Sequence, residues 1–448
     1  MSLTPLDTSV TRFLEFSLTL IFPDVEAEKE LRDASRSLLE QWPILASRLN
    51  LLRTDLSASK SEQQPDVFSG RKLNKKLSDI VNVSSITTDC ASPSSSDKVK
   101  QLDGLFNFGN SLKTALRGQV FNIRAVFFLD TTIIRFTFQH PLCDASGAAY
   151  AISRRYCDIL NSTKIEDISL TRFPLMLKDG IDATAAGKEK DAPKPPAAAE
   201  TSRDIFRGSW RYMIRKGTKM LLRDLRRPSC KRVDDTFHIP AAQMEAWKED
   251  ALKQDNNVTE HDLLTAFIYQ SCYQVSPPCA QDFSMILRIR PYLENQTPLQ
   301  NAWVVLPVAI EHLYESQKSE HASLPKIAAE IHRSIREARR PENLSPLLDF
   351  QAHGTTKPMI PRWIGRDQPQ VTVTSWTGLG LYDLDIHGSR PVFVHGELDL
   401  WGLLKGFGLG MDDIVITWKG PEPEGGYWIR GRLNASAWEK MARTLAQN

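Results

Sequence analysis

Residues 121–147 read FNIRAVFFLDTTIIRFTFQHPLCDASG, and this stretch decides how the first half of the chain folds. Apolar side chains alternate with mostly polar neighbours at its start, which is typical of a half-buried strand. A turn at 130–132 follows, and then a second β-rich run that ends at His140. Pro141 cannot donate to a continued β-ladder. The pattern therefore predicts a hairpin over 117–140, with His140 where the second strand ends.

His140 and Asp144 are the first candidates for chemistry, because a side chain at a strand end can leave the sheet and face a cleft. A neutral imidazole, with an ordinary pKa near about 6.5, can take a proton from an alcohol. The Asp144 carboxylate can fold back either toward the imidazole or onto N–H groups of its own loop. Gly147 allows a close backbone approach. Taken alone, the four-residue spacing is common and favours a core or capping histidine over a general base.

The composition narrows the class of protein. The chain has 448 residues, 41% hydrophobic and 25% charged, which argues for a globular protein with more than one domain. Its 56 basic and 54 acidic residues leave a net charge of +2, so no global charge attracts nucleic acid. The six cysteines form no CxxC pair, and no apolar run approaches the roughly 20 residues of a membrane span. We therefore expect a cytoplasmic protein with reduced thiols, no metal, no nucleic-acid partner and no membrane span.

A segment at 181–202 is rich in Ala, Pro and Lys and has almost no large apolar side chain, which is typical of a linker. It divides the chain into a predicted N-terminal domain, 1–180, and a C-terminal domain, 203–448. Both halves mix helical and strand patterns without an internal repeat, so we expect α/β domains of mixed α+β layers. Just beyond the linker, 203–232 carries eleven Lys and Arg against two Asp. Such a run is most often a solvated surface helix, although it would also attract a polyanion.

Local patterns predict further elements. Apolar residues at helical spacing predict a helix over 25–42, which Pro43 ends. Thr259, with Asp262 three residues later, predicts the N-cap of another helix. Runs of β-forming residues predict strands at Trp303 to Ile310, Val371 to Trp376, Pro391 to Val394, Ile414 to Trp418 and Tyr427 to Leu433.

Motifs of one known family occur in order along most of the chain. They read LTPLDTSV at 3–10, WPILASRL at 42–49, TEHDLLTAFI at 259–268, TSW at 374–376 and YDLDIHGSRP at 382–391. Together with HPLCD at 140–144, they make the sequence resemble the BAHD acyl-CoA-dependent acyltransferases, members of the HxxxD transferases found in plants and fungi. Only Asp385 remains of the family's DFGWG motif, and this looser form points to the fungal type.

The resemblance implies two chloramphenicol-acetyltransferase-like domains with the active-site channel between them. His140 would be the general base that deprotonates the acceptor, and Asp144 with Gly147 would give the HxxxD loop its shape. Thr374 and Trp376 would line the acceptor side, and Thr374 would donate a hydrogen bond toward the developing oxyanion.

The resemblance also assigns residues outside the chemistry. Asp385 and Arg390 would be structural parts of the DFGWG-like segment, with Asp385 in an ion pair. Arg288 and Arg290 would be candidate ligands of CoA. Acyl-CoA would be a co-substrate rather than a bound cofactor, and the protein would act as a monomer without a metal. The expected reaction is acyl transfer to a hydroxyl or amine of a small specialised metabolite.

Two other functions stay open. A BAHD-like fold repurposed for cyclisation or condensation of a secondary-metabolite intermediate would also keep His140. Peptide-condensing domains carry an HHxxxDG motif, however, and Gln139 stands here in place of its first His. A non-catalytic small-molecule binder would suit the altered DFGWG segment, whereas the intact His140 argues against it.

Overall fold

The computed structural model describes most of the 448-residue chain. The described residues are 14–49, 56–57, 66–83, 99, 101–102, 104–105, 119–163, 177, 232–254, 257–273, 282–294, 299–308, 323–353, 370–400, 411–421 and 425–446. The predicted linker at 181–202, the basic segment at 203–232 except its last residue, and the motif at 3–10 lie outside the described residues.

The first sheet has five strands, two of which form the predicted hairpin. The strands are β1 (Leu14–Phe22), β4 (Phe68–Lys72), β5 (Phe121–Phe127), β6 (Thr132–Gln139) and β11 (Phe393–Leu400). They lie in the order β11-β1-β6-β5-β4. Strands β5 and β6 pair antiparallel, which confirms the hairpin and leaves His140 directly after β6. Two short strands, β2 (Arg48–Leu49) and β3 (Leu56–Ser57), pair separately.

Two helices pack beside the first sheet. Helix α1 (Glu28–Gln41) confirms the predicted helix over 25–42, and it buries one apolar face that includes Leu31 and Leu38. A π-helical turn at Gly147–Ser153 leads into α2 (Arg154–Leu160). Tyr156 of α2 donates a hydrogen bond to the Leu31 carbonyl at 2.7 Å, and its ring meets Phe136 of β6 edge-on at 5.4 Å. These contacts fix the chain that follows the HxxxD loop against the sheet.

The second sheet has six strands and carries the remaining helices. The strands are β7 (Arg232–Ile239), β8 (Asp282–Arg288), β9 (Trp303–Val308), β10 (Gln370–Ser375), β12 (Ile414–Lys419) and β13 (Tyr427–Asn434). Their order is β7-β13-β12-β10-β8-β9, with β10 parallel to both of its neighbours. The helices are α3 (Ala241–Lys253), α4 (Glu260–Tyr273), α5 (Leu324–Ala338), α6 (Pro341–His353) and α7 (Ala435–Ala446). All five of the strands predicted from 303 onward are present, and residues 309–310 of the first prediction lie outside the described residues.

The N-terminus of α4 shows the predicted capping arrangement. The Thr259 backbone N–H donates to the Asp262 carboxylate at 2.8 Å, and the Asp262 N–H donates to the Thr259 hydroxyl at 3.3 Å. Two N–H groups that a helix leaves without intrahelical partners are thereby satisfied.

Strand β11 joins the two sheets. It belongs to the second half of the sequence, yet it pairs antiparallel with β1 in the first sheet, from Leu14↔Leu400 to Ile21↔Phe393. The Trp418 indole of β12 donates to the Val394 carbonyl of β11 at 2.9 Å. The two sheets therefore meet along β11, while the division of the chain at 181–202 stays a prediction. Within the described residues, no helix has both the length and the apolar character needed to cross a membrane.

Candidate active site

His140 is held at the edge between the two sheets. Its backbone N–H donates to the Leu14 carbonyl at the start of β1 at 2.9 Å. The Leu142 N–H donates to the Gln139 carbonyl at 2.9 Å, so the chain turns immediately after β6. The His140 side chain is half-buried, whereas the next four residues are buried. The strand end thus presents one titratable ring and hides the loop behind it.

Two aromatic rings from different sheets flank the His140 imidazole. The Phe16 ring of β1 lies 5.2 Å away, centroid to centroid, at an interplanar angle of 69°. The Trp303 ring of β9 lies 5.9 Å away at 62°. Both are edge-to-face contacts of the kind that aromatic rings prefer. The imidazole therefore lies between aromatic rings that belong to the two sheets.

The Asp144 carboxylate binds its own loop and the second sheet's side of the molecule. One oxygen accepts the Gly147 N–H at 2.8 Å. The other accepts Arg290 Nη2 at 2.8 Å and the Ala302 N–H at 3.1 Å. Of the two orientations that the sequence left open, the structure shows the one onto backbone N–H groups. Asp144 thus joins the HxxxD loop to the segment that enters β9.

Arg290 lies beneath this loop rather than on an open surface. It is 8% exposed, and the same Nη2 that binds Asp144 also donates to the Gln300 carbonyl at 2.7 Å. The sequence made Arg290 a candidate CoA ligand, whereas its guanidinium lies in a buried ion pair with Asp144. Arg288, the last residue of β8, is exposed and pairs in register with Trp303. Of the two arginines, only Arg288 presents its side chain to solvent.

Asn301 connects the loop to the Trp303 ring. Its Nδ2 donates to the His140 carbonyl at 2.9 Å, and its Oδ1 accepts the Trp303 indole N–H at 3.1 Å. The sequence predicted Trp303 only as the start of a strand and indicated no contact of Asn301 or Trp303 with His140. The available signal was that Asn301 and Trp303 flank the start of a β-rich run, but nothing local tied that run to His140.

Trp376 and Thr374 lie where β10 ends. The Trp376 N–H donates to the Thr417 carbonyl at 2.7 Å, and its buried ring meets Phe16 edge-on at 6.0 Å. Gly396 of β11 gives this ring its space, because a Cβ built there would lie 2.6 Å from the indole. Thr374 is half-buried on β10. Phe16 therefore touches both His140 and Trp376, which places these two predicted site residues around one shared ring.

Solved structures share this architecture over nearly the whole chain. The F. sporotrichioides TRI101 structure, complexed with coenzyme A and T-2, has a TM-score of 0.61 at 12% identity and covers 99% of this chain and 96% of its own. Vinorine synthase has a TM-score of 0.59 at 13% identity, with 100% and 92% covered. The chain has a BAHD-type acyltransferase fold.

Other comparisons show that this likeness is one of fold. Neither a protein-family model nor the sequence of a curated protein matches the chain. The first condensation domain of the calcium-dependent antibiotic synthetase also shares the fold, with a TM-score of 0.52 at 10% identity over 98% of this chain and 92% of its own. At such identities the likeness shows the fold, and it confirms the expected two-domain α/β architecture.

The DFGWG-like segment of this BAHD-type fold is a structural turn on the α2 side of the first sheet. The Asp385 carboxylate accepts Asn161 Nδ2 at 3.2 Å and the Gly388 N–H at 3.0 Å. Its partners among the described residues are thus an amide and a backbone N–H, where the sequence led us to expect an ion pair. Arg390 is exposed. The turn is completed by mutual hydrogen bonds between the backbones of residues 386 and 389.

The cysteines among the described residues, including Cys272, are buried. Cys143, within the HxxxD loop, is buried. Burial raises the pKa of the Cys157 thiol to about 12, which keeps it protonated at neutral pH. Among the described residues, no three His, Cys, Asp or Glu side chains come together as a metal site would require.

Proposed function

We propose that the protein transfers an acyl group from acyl-CoA to a hydroxyl or amine of a small specialised metabolite. The observation that carries this proposal is the half-buried His140 at the end of β6 in a BAHD-type fold. Its backbone is held by β1 and by Asn301, and aromatic rings surround its imidazole. A protein with this fold, TRI101 of F. graminearum, has been solved with coenzyme A and T-2 mycotoxin, which supports a CoA donor and a small acceptor.

His140 acts in this proposal as the general base. The imidazole takes the proton of the acceptor hydroxyl or amine while the acceptor atom forms a bond to the thioester carbon. The carbonyl oxygen gains negative charge, and the Thr374 hydroxyl donates a hydrogen bond to it. The carbon–sulfur bond then breaks, and the CoA thiolate takes the proton from the imidazolium. A thioester is already activated, so this route needs neither a metal nor a covalent enzyme intermediate.

The other predicted residues take supporting roles. Asp144, Gly147 and Arg290 shape the loop, because the Asp144 carboxylate binds both of the others. Of the two candidate CoA ligands, Arg288 and Arg290, we propose Arg288 for the CoA phosphates, since it is exposed and lies opposite Trp303 in the sheet register. Asp385 and Arg390 act structurally in their turn. We further propose a cytoplasmic monomer whose two domains, 1–180 and 203–448, form the channel between them.

Condensation or cyclisation is the second candidate, because a condensation domain also shares the fold. The Gln139 amide donates to Glu15 at 2.8 Å, and the residue is buried. Its side chain thus binds a neighbouring strand at the position where condensing domains place the first histidine of HHxxxDG. This observation favours acyl transfer over condensation.

The decisive experiment measures CoA release. Purified full-length protein is mixed with a panel of acyl-CoAs and small hydroxyl- and amine-bearing acceptors, and free thiol is followed. Acyl transfer predicts thiol release that requires the acceptor. His140→Gln should lower the rate by at least about 10²-fold with an unchanged melt. His332→Gln, on α5, is the matched histidine control and should keep the parent rate. A folded, fully active His140→Gln variant would remove His140 from the mechanism.

A further inference from the structure

Trp303, on the second sheet, lies beside His140, the candidate base on the first sheet. It is the first residue of β9, and it is half-buried, whereas Ala302 and Val304 on either side of it are buried. Its ring meets the half-buried His140 ring edge-on at 5.9 Å. The two residues are thus both partly exposed, and their rings lie side by side.

The Trp303 indole is anchored to the same residue that anchors His140. Asn301 is fully buried, accepts the indole N–H at 3.1 Å and donates to the His140 carbonyl at 2.9 Å. A single amide thus sets the position of the indole relative to the backbone that carries the imidazole. The next residue, Ala302, binds the Asp144 carboxylate at 3.1 Å. Three consecutive residues of this segment contact the residues at 140 and 144.

We propose that Trp303 is a positioning residue for the His140 imidazole. Phe16 of the first sheet limits rotation of the imidazole on one side, and Trp303 of the second sheet limits it on another. Both rings together therefore limit the directions in which the imidazole nitrogens can point. General-base catalysis depends on such alignment, since a displacement of about 1 Å costs on the order of 10²-fold in rate. This inference rests on the proposed function, in which His140 is the base.

Two substitutions separate the ring from its anchor. Trp303→Leu removes both the ring and the N–H, whereas Trp303→Phe keeps an aromatic ring beside His140. We expect Trp303→Leu to lower kcat by about 10- to 100-fold with little change in KM for acyl-CoA, and Trp303→Phe to restore most of kcat. Trp438→Phe is the matched control, because the Trp438 indole also donates one hydrogen bond, in this case to the Val233 backbone carbonyl at 3.1 Å. It should keep the parent kcat.

A measurement on the imidazole itself tests the inference without turnover. In protein labelled with ¹⁵N-histidine, the His140 signals are assigned by their loss in His140→Gln. Trp303→Leu should broaden or average these signals while the other histidine signals and the melt stay as in the parent. Unchanged His140 signals in Trp303→Leu, or a parent-like kcat, would overturn the positioning role. If the parent shows no thiol release, the proposed function fails, and the signals of the labelled protein still decide the role of Trp303.

Discussion

Replacing Asp144 by Asn should both destabilise the protein and lower its turnover, because the Asp144 carboxylate holds the HxxxD loop that follows His140. The side chains of Asp144 and Arg290 are each only 9% exposed, and the Asp144 carboxylate accepts three hydrogen bonds. Removing one charge of a buried pair typically costs about 3–5 kcal/mol. An Asn keeps one acceptor oxygen, so we expect a loss near the lower end, about 3 kcal/mol. The loop should also shift His140, which lowers kcat at temperatures where the variant is still folded.

A second buried pair supplies the control for this experiment. Asp413 binds Arg232 through hydrogen bonds of 2.9 and 2.8 Å, with 10% and 2% of the side chains exposed. Asp413 has a φ of 63°, a conformation that Asn tolerates, so Asp413→Asn changes charge with little backbone strain. Both variants should lower the free energy of unfolding in urea by similar amounts, but only Asp144→Asn should lower kcat. An unchanged unfolding curve with abolished activity in Asp144→Asn would refute the structural role and indicate direct catalysis.

Two further predictions concern packing and pH. Gly396→Ala should cost about 1–3 kcal/mol because its Cβ would meet the Trp376 ring at 2.6 Å, whereas Gly378→Ala, with nothing within 4 Å, should be nearly neutral in the same urea titration. Burial lowers the pKa of His238 to about 4, well below its value in the unfolded chain. The folded state therefore resists protonation of His238, and the free energy of unfolding is highest above about pH 6.5. It falls as the pH drops through 4, by at most about 3 kcal/mol. His238→Phe should therefore flatten the dependence of unfolding free energy on pH in that window, and a parent-like slope would contradict this assignment.

Periodicity and local turn chemistry predicted much of the fold. The alternation of apolar and polar residues from Phe121 onward predicted the hairpin, and the pair Thr259 and Asp262 predicted the cap of α4; the structure shows both. These features depend on residues close together in sequence, where side-chain spacing alone sets which face is buried. Strand β11 was predicted as a short strand at Pro391 to Val394, yet nothing local indicates that it pairs with β1.

The candidate site was predictable only in part. His140 was placed correctly at a strand end because the strand pattern and Pro141 mark that end. Arg290 was predicted as a candidate CoA ligand. The sequence does not indicate which group an arginine binds, and in the structure Arg290 forms an ion pair with Asp144. The contacts of Asn301 and Trp303 with His140 were not predicted, because they join residues more than 150 positions apart.

The sequence by itself determined the hairpin, the position of His140 at its end and the HxxxD spacing, because local periodicity and turn residues dictate them. Only the tertiary structure decided what surrounds that histidine. The pairing of β11 with β1, the aromatic contacts of Phe16 and Trp303, and the ion pair of Asp144 with Arg290 all join distant segments. Such contacts form when two sheets bury their faces against each other, and burial depends on the whole chain rather than on any one stretch of it.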